Sequence, residues 1–549
     1  MHKKVVGDVI YLTGEADSYE EKFRLGKEAV KKGFHVVNNI DVKECRDLHF
    51  KHPNINDKSL EGLELDVLVI GGGISGCSIL RELTKYNLKV ALIEKEGDVA
   101  FAASGRNDGE VHPGVDLKKG SLKQSLVVKS NRMYDKVCSD LNVKFRRCGQ
   151  QVLFMKEWHK PFVKMFVHNR IHKCGVDDTK IISREELLKY EPNVSKDAKF
   201  SMYNPMAGTV CPYNLTVAYA ENAIQNGAKV YLNTMCLGLN LKHNSISEVI
   251  TNRGKIKAKV IVNASGTFAE ELAKMANDQF YSIHFRKGVD FILDKKAYGE
   301  INTIVSFREQ LASHKGNSKG GGVLTTVDGN LLVGPDAKEI PYPEDYSVDI
   351  NNINGVYNKQ VKAIPGLNKR DIITYFAGVR AATYEEDFVI EWGRNCKNLY
   401  HVAGIQSPGL TTAPLVALNV SKDIANRLEA ELNDKFNPIR KGYGHVNELS
   451  NEERAALIKK DPNYGIIICR CEEISKGEIL DCLKAPLPCY TIDQIKKRVR
   501  CGMGRCQGGF CQPLVHQIIA DYHGLDLDEV KKNSTDSYIT MGDTKGGEQ

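Results

Sequence analysis

Two groups of residues in this 549-residue chain have the types and spacing for redox chemistry. The first is Gly71-Gly72-Gly73-Ile74-Ser75-Gly76, set between an apolar strand-like segment and a helical one. In that setting Gly71 permits a tight turn, Gly73 lets the backbone approach a pyrophosphate, and Gly76 lets helix and strand pack closely. Ile74 and Ser75 open the helix, whose positive N-terminal end favours phosphate. Glu94, followed by Lys95, ends the next strand 18 residues beyond Gly76, where a carboxylate accepts hydrogen bonds from adenosine ribose hydroxyls. An acid there favours FAD or NAD over NADP. A second small polar loop, Ala103-Ser104-Gly105-Arg106-Asn107-Asp108-Gly109, follows directly and suits further donors to a pyrophosphate. A nicotinamide domain has no need of it, so Ser104, Asn107 and Gly109 turn the expectation to FAD.

The second group is sulfur. Seven of the 15 cysteines fall between Cys469 and Cys511. Cys469-Arg470-Cys471 is followed, after 34 residues, by Cys506-Gln507-Gly508-Gly509-Phe510-Cys511. Four thiolates converging from a CxC and a CxxxxC suit a [2Fe-2S] cluster or zinc. Paired zinc ligands are usually two to four residues apart, so the CxC makes iron-sulfur the expected centre. Glycines between Cys501 and Gly509 free backbone amides to point at sulfurs, which raises a cluster's reduction potential. Ser475-Lys476-Gly477-Glu478 and Thr491-Ile492-Asp493-Gln494 have capping-box form, so each should start a short helix.

These groups need a scaffold larger than one core, since a chain of this length exceeds the roughly 250–300 residues at which single cores stop growing. The composition, 42% hydrophobic and 26% charged, is that of a folded protein. A net charge of +7 spread over 76 basic and 69 acidic residues leaves no basic run for nucleic acid. No secretory signal and no spanning apolar stretch is read, so a reducing cytoplasm is expected and any membrane contact is peripheral. Residues 1–62 read as a small β-α-β unit with a strand at Val9–Leu12, a helix near Tyr19–Lys32 and a strand at Phe34–Val37. From Leu65 the pattern is α/β: strand Asp66–Ile70, helix Ile74–Tyr86 and strand Lys89–Ile93, with later returns at Lys259–Gly266 and Leu399–Gly404. Strand-rich stretches at Gln151–Met155 and Val289–Leu293 suggest an antiparallel substrate domain inserted into the nucleotide fold. The expected divisions are 1–62, an oxidoreductase unit 63–435, a linker 436–463, a [2Fe-2S] domain 464–525 and a polar tail 526–549.

Residues 1–62 resemble the BON-type modules of bacteria, which implies a structural or docking role. From about Leu65 to Tyr522 the chain resembles FAD-dependent dehydrogenases of the glycine oxidase and D-amino-acid oxidase superfamily. Within that superfamily it more closely resembles the large subunits of anaerobic glycerol-3-phosphate dehydrogenases. The landmarks are Ser104-Gly105-Arg106-Asn107-Asp108-Gly109-Glu110-Val111-His112-Pro113-Gly114, Asn263-Ala264-Ser265-Gly266, Gly329 to Pro335, Phe376-Ala377-Gly378-Val379-Arg380 and Ser407-Pro408-Gly409-Leu410-Thr411. The resemblance implies an α/β fold: a Rossmann-like FAD-binding domain with an inserted antiparallel substrate domain, beside the small N-terminal α+β module and a helical [2Fe-2S] domain. It places Ser104 and Asn107 near the flavin pyrophosphate, Gly266 near the adenine side, and Gly404, Gly409, Leu410 and Thr411 near the isoalloxazine ring. The tail resembles the bacterioferritin-associated-ferredoxin-like [2Fe-2S] domain, which implies Cys469, Cys471, Cys506 and Cys511 as ligands, with Cys501 able to exchange for Cys506. One departure is Arg286-Lys287-Gly288-Val289-Asp290-Phe291, where such proteins often carry Gly-Glu-Tyr after a basic pair; it puts the substrate in question if that strand lines the cavity.

Flavin oxidation of an alcohol or amine carbon needs a proton acceptor and usually a cation for the substrate's anionic group. Arg380, in an apolar run, is the expected anion clamp because a guanidinium binds phosphate or carboxylate bidentately. His112, just past the second loop, is the expected base or hydrogen-bond donor; His284, Arg286 and Lys287 are lesser candidates. The expected activity is an FAD-dependent dehydrogenase for a small anionic hydroxy compound, sn-glycerol 3-phosphate first. Its electrons leave through the cluster to a redox partner subunit or acceptor in a hetero-oligomeric complex. Two alternatives stand beside it: an amine, opine or amino-acid dehydrogenase, and a redox sensor or electron-transfer scaffold.

Overall fold

A computed structural model describes residues 2–45, 51–296, 301–309, 321–534 and 536–542. Near the N-terminus, β1 (His2–Val6) and β2 (Val9–Ala16) form a hairpin, α1 (Tyr19–Ala29) crosses over, and β3 (His35–Val42) returns parallel to β2. The unit is therefore β-β-α-β: the first strand, all exposed, lacks the apolar alternation by which a strand is read from sequence. Ser18 caps α1 by accepting from the Glu21 amide at 3.2 Å.

The nucleotide sheet is built on β4 (Leu63–Ile70), α2 (Ile74–Leu83) and β5 (Val90–Ile93). β4 lies between β5 and the strand Gly254–Asn263, parallel to both, and Leu399–Ala403 extends the parallel set beside Gly254–Asn263. Val67, Leu68 and Val69 are fully buried, as a strand covered on both faces requires. α2 packs between the helices Pro212–Gln225 and Gly409–Arg427. Four of the strands expected from the alternating pattern are thus neighbours in one sheet.

The chain between these returns builds a nine-stranded sheet. Its pairings are antiparallel except one, Gln150–Phe154 with Ile304–Arg308, which run parallel. The long strands Ile283–Leu293 and Ile372–Thr383 lie side by side in it, so that Arg286 faces Arg380 directly across the pair. Residues opposite one another in an antiparallel pair present their side chains on the same face. That register places the two arginines together.

Past Pro438 the chain is folded rather than extended: the helix Asn451–Lys460 begins at a Ser450/Glu453 capping box. Three helices, Lys476–Leu483, Ile492–Val499 and Gln512–His523, then enclose a core that includes Ile479, Ile495, Val499 and Ile519. The first two carry the expected capping boxes at Ser475/Glu478 and Thr491/Gln494. This C-terminal unit is anchored to the nucleotide domain by Arg498, whose guanidinium binds both oxygens of Asp98 at 2.6 and 2.8 Å, both side chains fully buried. Gln494 Nε2 donates to the Gly97 carbonyl at 2.8 Å, and Arg500 binds Asp328 at 2.7 Å. Among the described residues no helix is long and apolar enough to cross a membrane.

Candidate flavin cavity, substrate clamp and sulfur cluster

One cavity of about 1160 Å³ takes in the glycine turn, the second loop, the ring-side turn and the paired arginines. Gly71, with φ +111°, makes the turn out of β4, and a Cβ at Gly76 would collide with the Gly71 carbonyl oxygen. Gly71, Gly73, Ile74 and Ser75 line the cavity; Gly76 packs behind them. The Ser104 hydroxyl accepts from the Ile74 amide at 2.8 Å, joining the second loop to the start of α2. Asn107 spends its side chain on that loop, donating to the Ala103 and Ser104 carbonyls and accepting from the Gly109 amide. Glu94 accepts from the amides of Gly72 at 2.6 Å and Glu96 at 2.9 Å, and burial pushes its carboxyl up to about 7. Lys95 lines the wall beside it, paired with Glu344 and Glu96.

Gly266, Gly409 and Leu410 also line the cavity, whereas Gly109, Gly404 and Thr411 do not. The Thr411 hydroxyl accepts from the His112 amide at 2.8 Å and so fixes the candidate histidine against the ring-side turn. The helix Gly409–Arg427 opens there without a side-chain cap; its Gly409 amide donates to the Gln406 carbonyl at 2.6 Å, and its positive end faces the cavity at Leu410. Turn, carboxylate, second loop and uncapped helix line one space, a donor set that fits FAD.

His112 is buried and its ring is fully engaged. The Gly114 amide donates to Nδ1 at 2.8 Å, so the neutral ring carries its proton on Nε2, 3.2 Å from Asp116 Oδ1. In this arrangement the histidine is a donor, and a base role belongs to the His112–Asp116 pair rather than to the ring alone. Arg380 makes no hydrogen bond or salt bridge with any of the described residues, although its guanidinium reaches the cavity wall. It lies over Gly288, where a Cβ would come within 2.6 Å of Nη2. Arg286 lines the cavity too, but it is neutralised by Glu339 at 2.6 Å and Glu386 at 2.7 Å. His284 is bound by Glu339 and the Thr383 carbonyl, and Lys287 by Asp345, which removes both from contention.

Asp290, the departure in this strand, does not line the cavity. Burial, and then the Asp108 charge, hold its carboxyl well above the usual carboxylate range, while Arg380 pulls the other way. Of this strand Arg286 lines the cavity, while Val289 and Asp290 do not.

At the other centre the sulfurs of Cys469, Cys501 and Cys511 lie within 4.8 Å of one another, and those of Cys471 and Cys506 are 3.7 Å apart. Cys501 thus stands with Cys469 and Cys511, next to a left-handed turn at Arg500 and Gly502. Backbone amides of Gly508, Gly509 and Phe510 are directed at the Cys506 sulfur, and those of Gly502 and Glu472 at Cys469. Convergent thiols ringed by amides fit an iron-sulfur cluster.

Several cavity residues carry no local signal. Lys51 comes from the N-terminal unit and Asn533 and Ser534 from the segment read as tail, brought together by a Lys51–Ser534 hydrogen bond of 2.9 Å. Glu386 and Gln406 are short polar interruptions after motif residues. Asp116, four residues past His112, is the one a search for a histidine partner would have found.

The fold and the two centres define an FAD-dependent oxidoreductase with an iron-sulfur domain. The chain belongs to the FAD dependent oxidoreductase family, whose model matches residues 66–422; the BFD-like [2Fe-2S] binding domain model matches residues 467–521. It is 40% identical to a glycerol 3-phosphate dehydrogenase of Caloramator mitchellensis over 87% of this chain and 99% of that protein. It is 24% identical to the anaerobic glycerol-3-phosphate dehydrogenase subunit A1 of Haloferax volcanii over 83% of each. Among solved structures it resembles dithionite-reduced L-alpha-glycerophosphate oxidase from Mycoplasma pneumoniae with FAD bound. That match has a TM-score of 0.63 and 24% identity, and it covers 69% of this chain and 98% of that one.

Proposed function

We propose that the protein is an FAD-dependent dehydrogenase of sn-glycerol 3-phosphate that passes electrons through a [2Fe-2S] cluster to a partner subunit. The observation that carries this reading is the Arg380 guanidinium in the cavity wall, which among the described residues has no hydrogen bond or salt bridge, beside an arginine that is already neutralised. Asp290, Asp108 and Asp336 offset its charge from a distance, but a desolvated cation that no carboxylate holds directly is costly until a ligand supplies the contact. A phosphate group does so bidentately. The similarity to glycerol 3-phosphate dehydrogenases supports the choice of that anion.

FAD, when bound, supplies the two-electron acceptor. Gly71, Gly73, Ile74, Ser75 and Ser104 would hold its pyrophosphate, Glu94 its ribose, and Gly409 and Leu410 the ring side. Arg380 holds the substrate phosphate and so fixes the carbon to be oxidised. His112 donates its Nε2–H to Asp116 Oδ1 and so orients that carboxylate, which lines the cavity and is the acceptor of the substrate hydroxyl proton. Cys469, Cys471, Cys506 and Cys511 would hold the cluster in the unit anchored at Asp98, which gives one-electron carriage to a partner a defined exit.

Anaerobic titration with sn-glycerol 3-phosphate should bleach the flavin and then develop the paramagnetic signal of a reduced [2Fe-2S] cluster. Bleaching by amino acids or amines in its place would move the assignment to the second dehydrogenase class. No bleaching by any of these substrates would leave a redox relay.

A further inference from the structure

Nothing in the reaction above employs the N-terminal module, yet it is bound to the cavity through one turn, Tyr384 to Asp387. Asn38 Nδ2 donates to the Tyr384 hydroxyl at 3.0 Å, and the Val36 amide donates to the Glu385 carboxylate. Phe23 meets the His284 ring edge-on at 5.0 Å, and Gly26 lies so close to the Tyr384 ring that no side chain fits. From the far side Asp387 accepts from the amides of Leu122 and Lys123 at 2.7 and 3.0 Å. Between these contacts sits Glu386, which faces the cavity.

Lys27 of α1 forms a salt bridge with Glu386 and donates to the Tyr384 carbonyl at 3.1 Å. Glu386 binds both terminal nitrogens of Arg286, at 2.7 and 3.1 Å, and accepts from Gln406 Nε2 at 2.9 Å. Arg286 also donates to Gln406 Oε1 at 3.2 Å, and Arg286 and Gln406 both line the cavity. A carboxylate in this position can oppose an anionic substrate or compete for Arg380. The cation of Lys27 offsets its charge and keeps it on Arg286.

We infer that the N-terminal module is a positioning element of the substrate cavity, with Lys27 holding Glu386 and Glu386 holding Arg286 and Gln406. The inference rests on the reading above that the substrate is anionic. Packing alone would make any well-folded α1 sufficient; the ion pair makes the charge at position 27 the variable.

The test compares Lys27→Met, Lys27→Arg and the double variant Lys27→Met/Glu386→Gln with wild type. It measures kcat and KM for sn-glycerol 3-phosphate with an artificial acceptor, and the Kd of inorganic phosphate from the flavin visible spectrum. FAD content and melting temperature serve as controls on folding. Lys27→Met should raise KM and the phosphate Kd by roughly five- to thirtyfold, since an uncompensated charge at close range in a partly desolvated site is worth that much. It should leave kcat within about threefold, because binding of the anion is weakened equally in the ground state and the transition state. Lys27→Arg should restore both constants, and Glu386→Gln should recover part of the loss in the Met background. Values for Lys27→Met within about twofold of wild type would overturn the inference, at the level where a lost ion pair is negligible. So would Lys27→Arg behaving like Lys27→Met, or no recovery in the double variant. Failure of wild type to be reduced by sn-glycerol 3-phosphate counts against the proposed function, while the phosphate comparison still decides the role of Lys27.

Discussion

Arg380 and Arg286 are the same residue type, opposite one another on paired strands, and they differ in what surrounds the guanidinium. Arg286 has two carboxylates; Arg380 has Gly288 beneath it and the cavity in front. Arg380→Met should raise KM for the phosphate substrate by roughly two to three orders of magnitude, the worth of a charged bidentate contact in a desolvated site. Arg380→Lys should recover part of that loss, since it keeps the charge without the fork; steady-state KM values check both. Arg380 could be singled out in sequence as a candidate because a lone cation in an apolar strand has few uses. Glu386 and Asp116 were not, because their importance depends on partners supplied by other elements.

Glu94 gives a pH test with a defined sign. Burial raises its carboxyl from 4.5 to about 7 in the fold, against the pull of the Glu96 and Gly72 amides. The protonated form is the one the fold favours, so the apoprotein has its full stability below about pH 4.5 and loses it as pH rises through about 7. Glu94→Gln apoprotein should therefore melt above wild type at pH 8, and the difference should close by pH 4.5. The same variant should bind FAD more weakly, having exchanged one accepting oxygen for an NH2 donor that the ribose hydroxyls and the Gly72 and Glu96 amides do not need. Equal melting temperatures at pH 8 would show that Glu94 carries no such cost.

At the scale of elements, the chemistry is set by how tightly a turn closes. The Gly76 Cα faces the Gly71 carbonyl, and that approach is what lets α2 present its first amides to the cavity. Gly76→Ala should destabilise the protein by about 1–3 kcal/mol, the usual cost of overpacking a closed site, and lower FAD occupancy. The ratio of flavin to protein absorbance in the purified variant reads the second effect. This element was legible because strand, glycines, helix and acid follow in order, each with a local signature. The capping boxes at Ser475 and Thr491 were legible for the same reason. The exposed strand His2–Val6 was not, since its pairing to β2 and not its own pattern makes it a strand. The one parallel pair in the substrate sheet is likewise a product of topology that no local pattern announces.

For the whole molecule, the question is what joins the flavin domain to the sulfur domain. The densest link is the Arg498–Asp98 pair, fully buried and bidentate, four residues on from Glu94 and flanked by the Gln494–Gly97 bond. The sequence showed a cluster-binding tail but not its docking, because Asp98 and Arg498 are 400 positions apart and each reads as an ordinary charge. A buried pair is weak evidence for net stability, yet removing one partner strands the other charge at a cost of about 3–5 kcal/mol. Arg498→Met should thus loosen the docked unit more than Asp98→Leu/Arg498→Met, which leaves no stranded charge. In anaerobic stopped-flow, the single variant should bleach its flavin with substrate at close to the wild-type rate, while the cluster signal develops at least about tenfold more slowly, as electron passage depends on the two centres being held together. The double variant should recover much of that rate. If flavin bleaching and cluster reduction slow in the same proportion, the pair supports the flavin domain itself and is no part of the electron route.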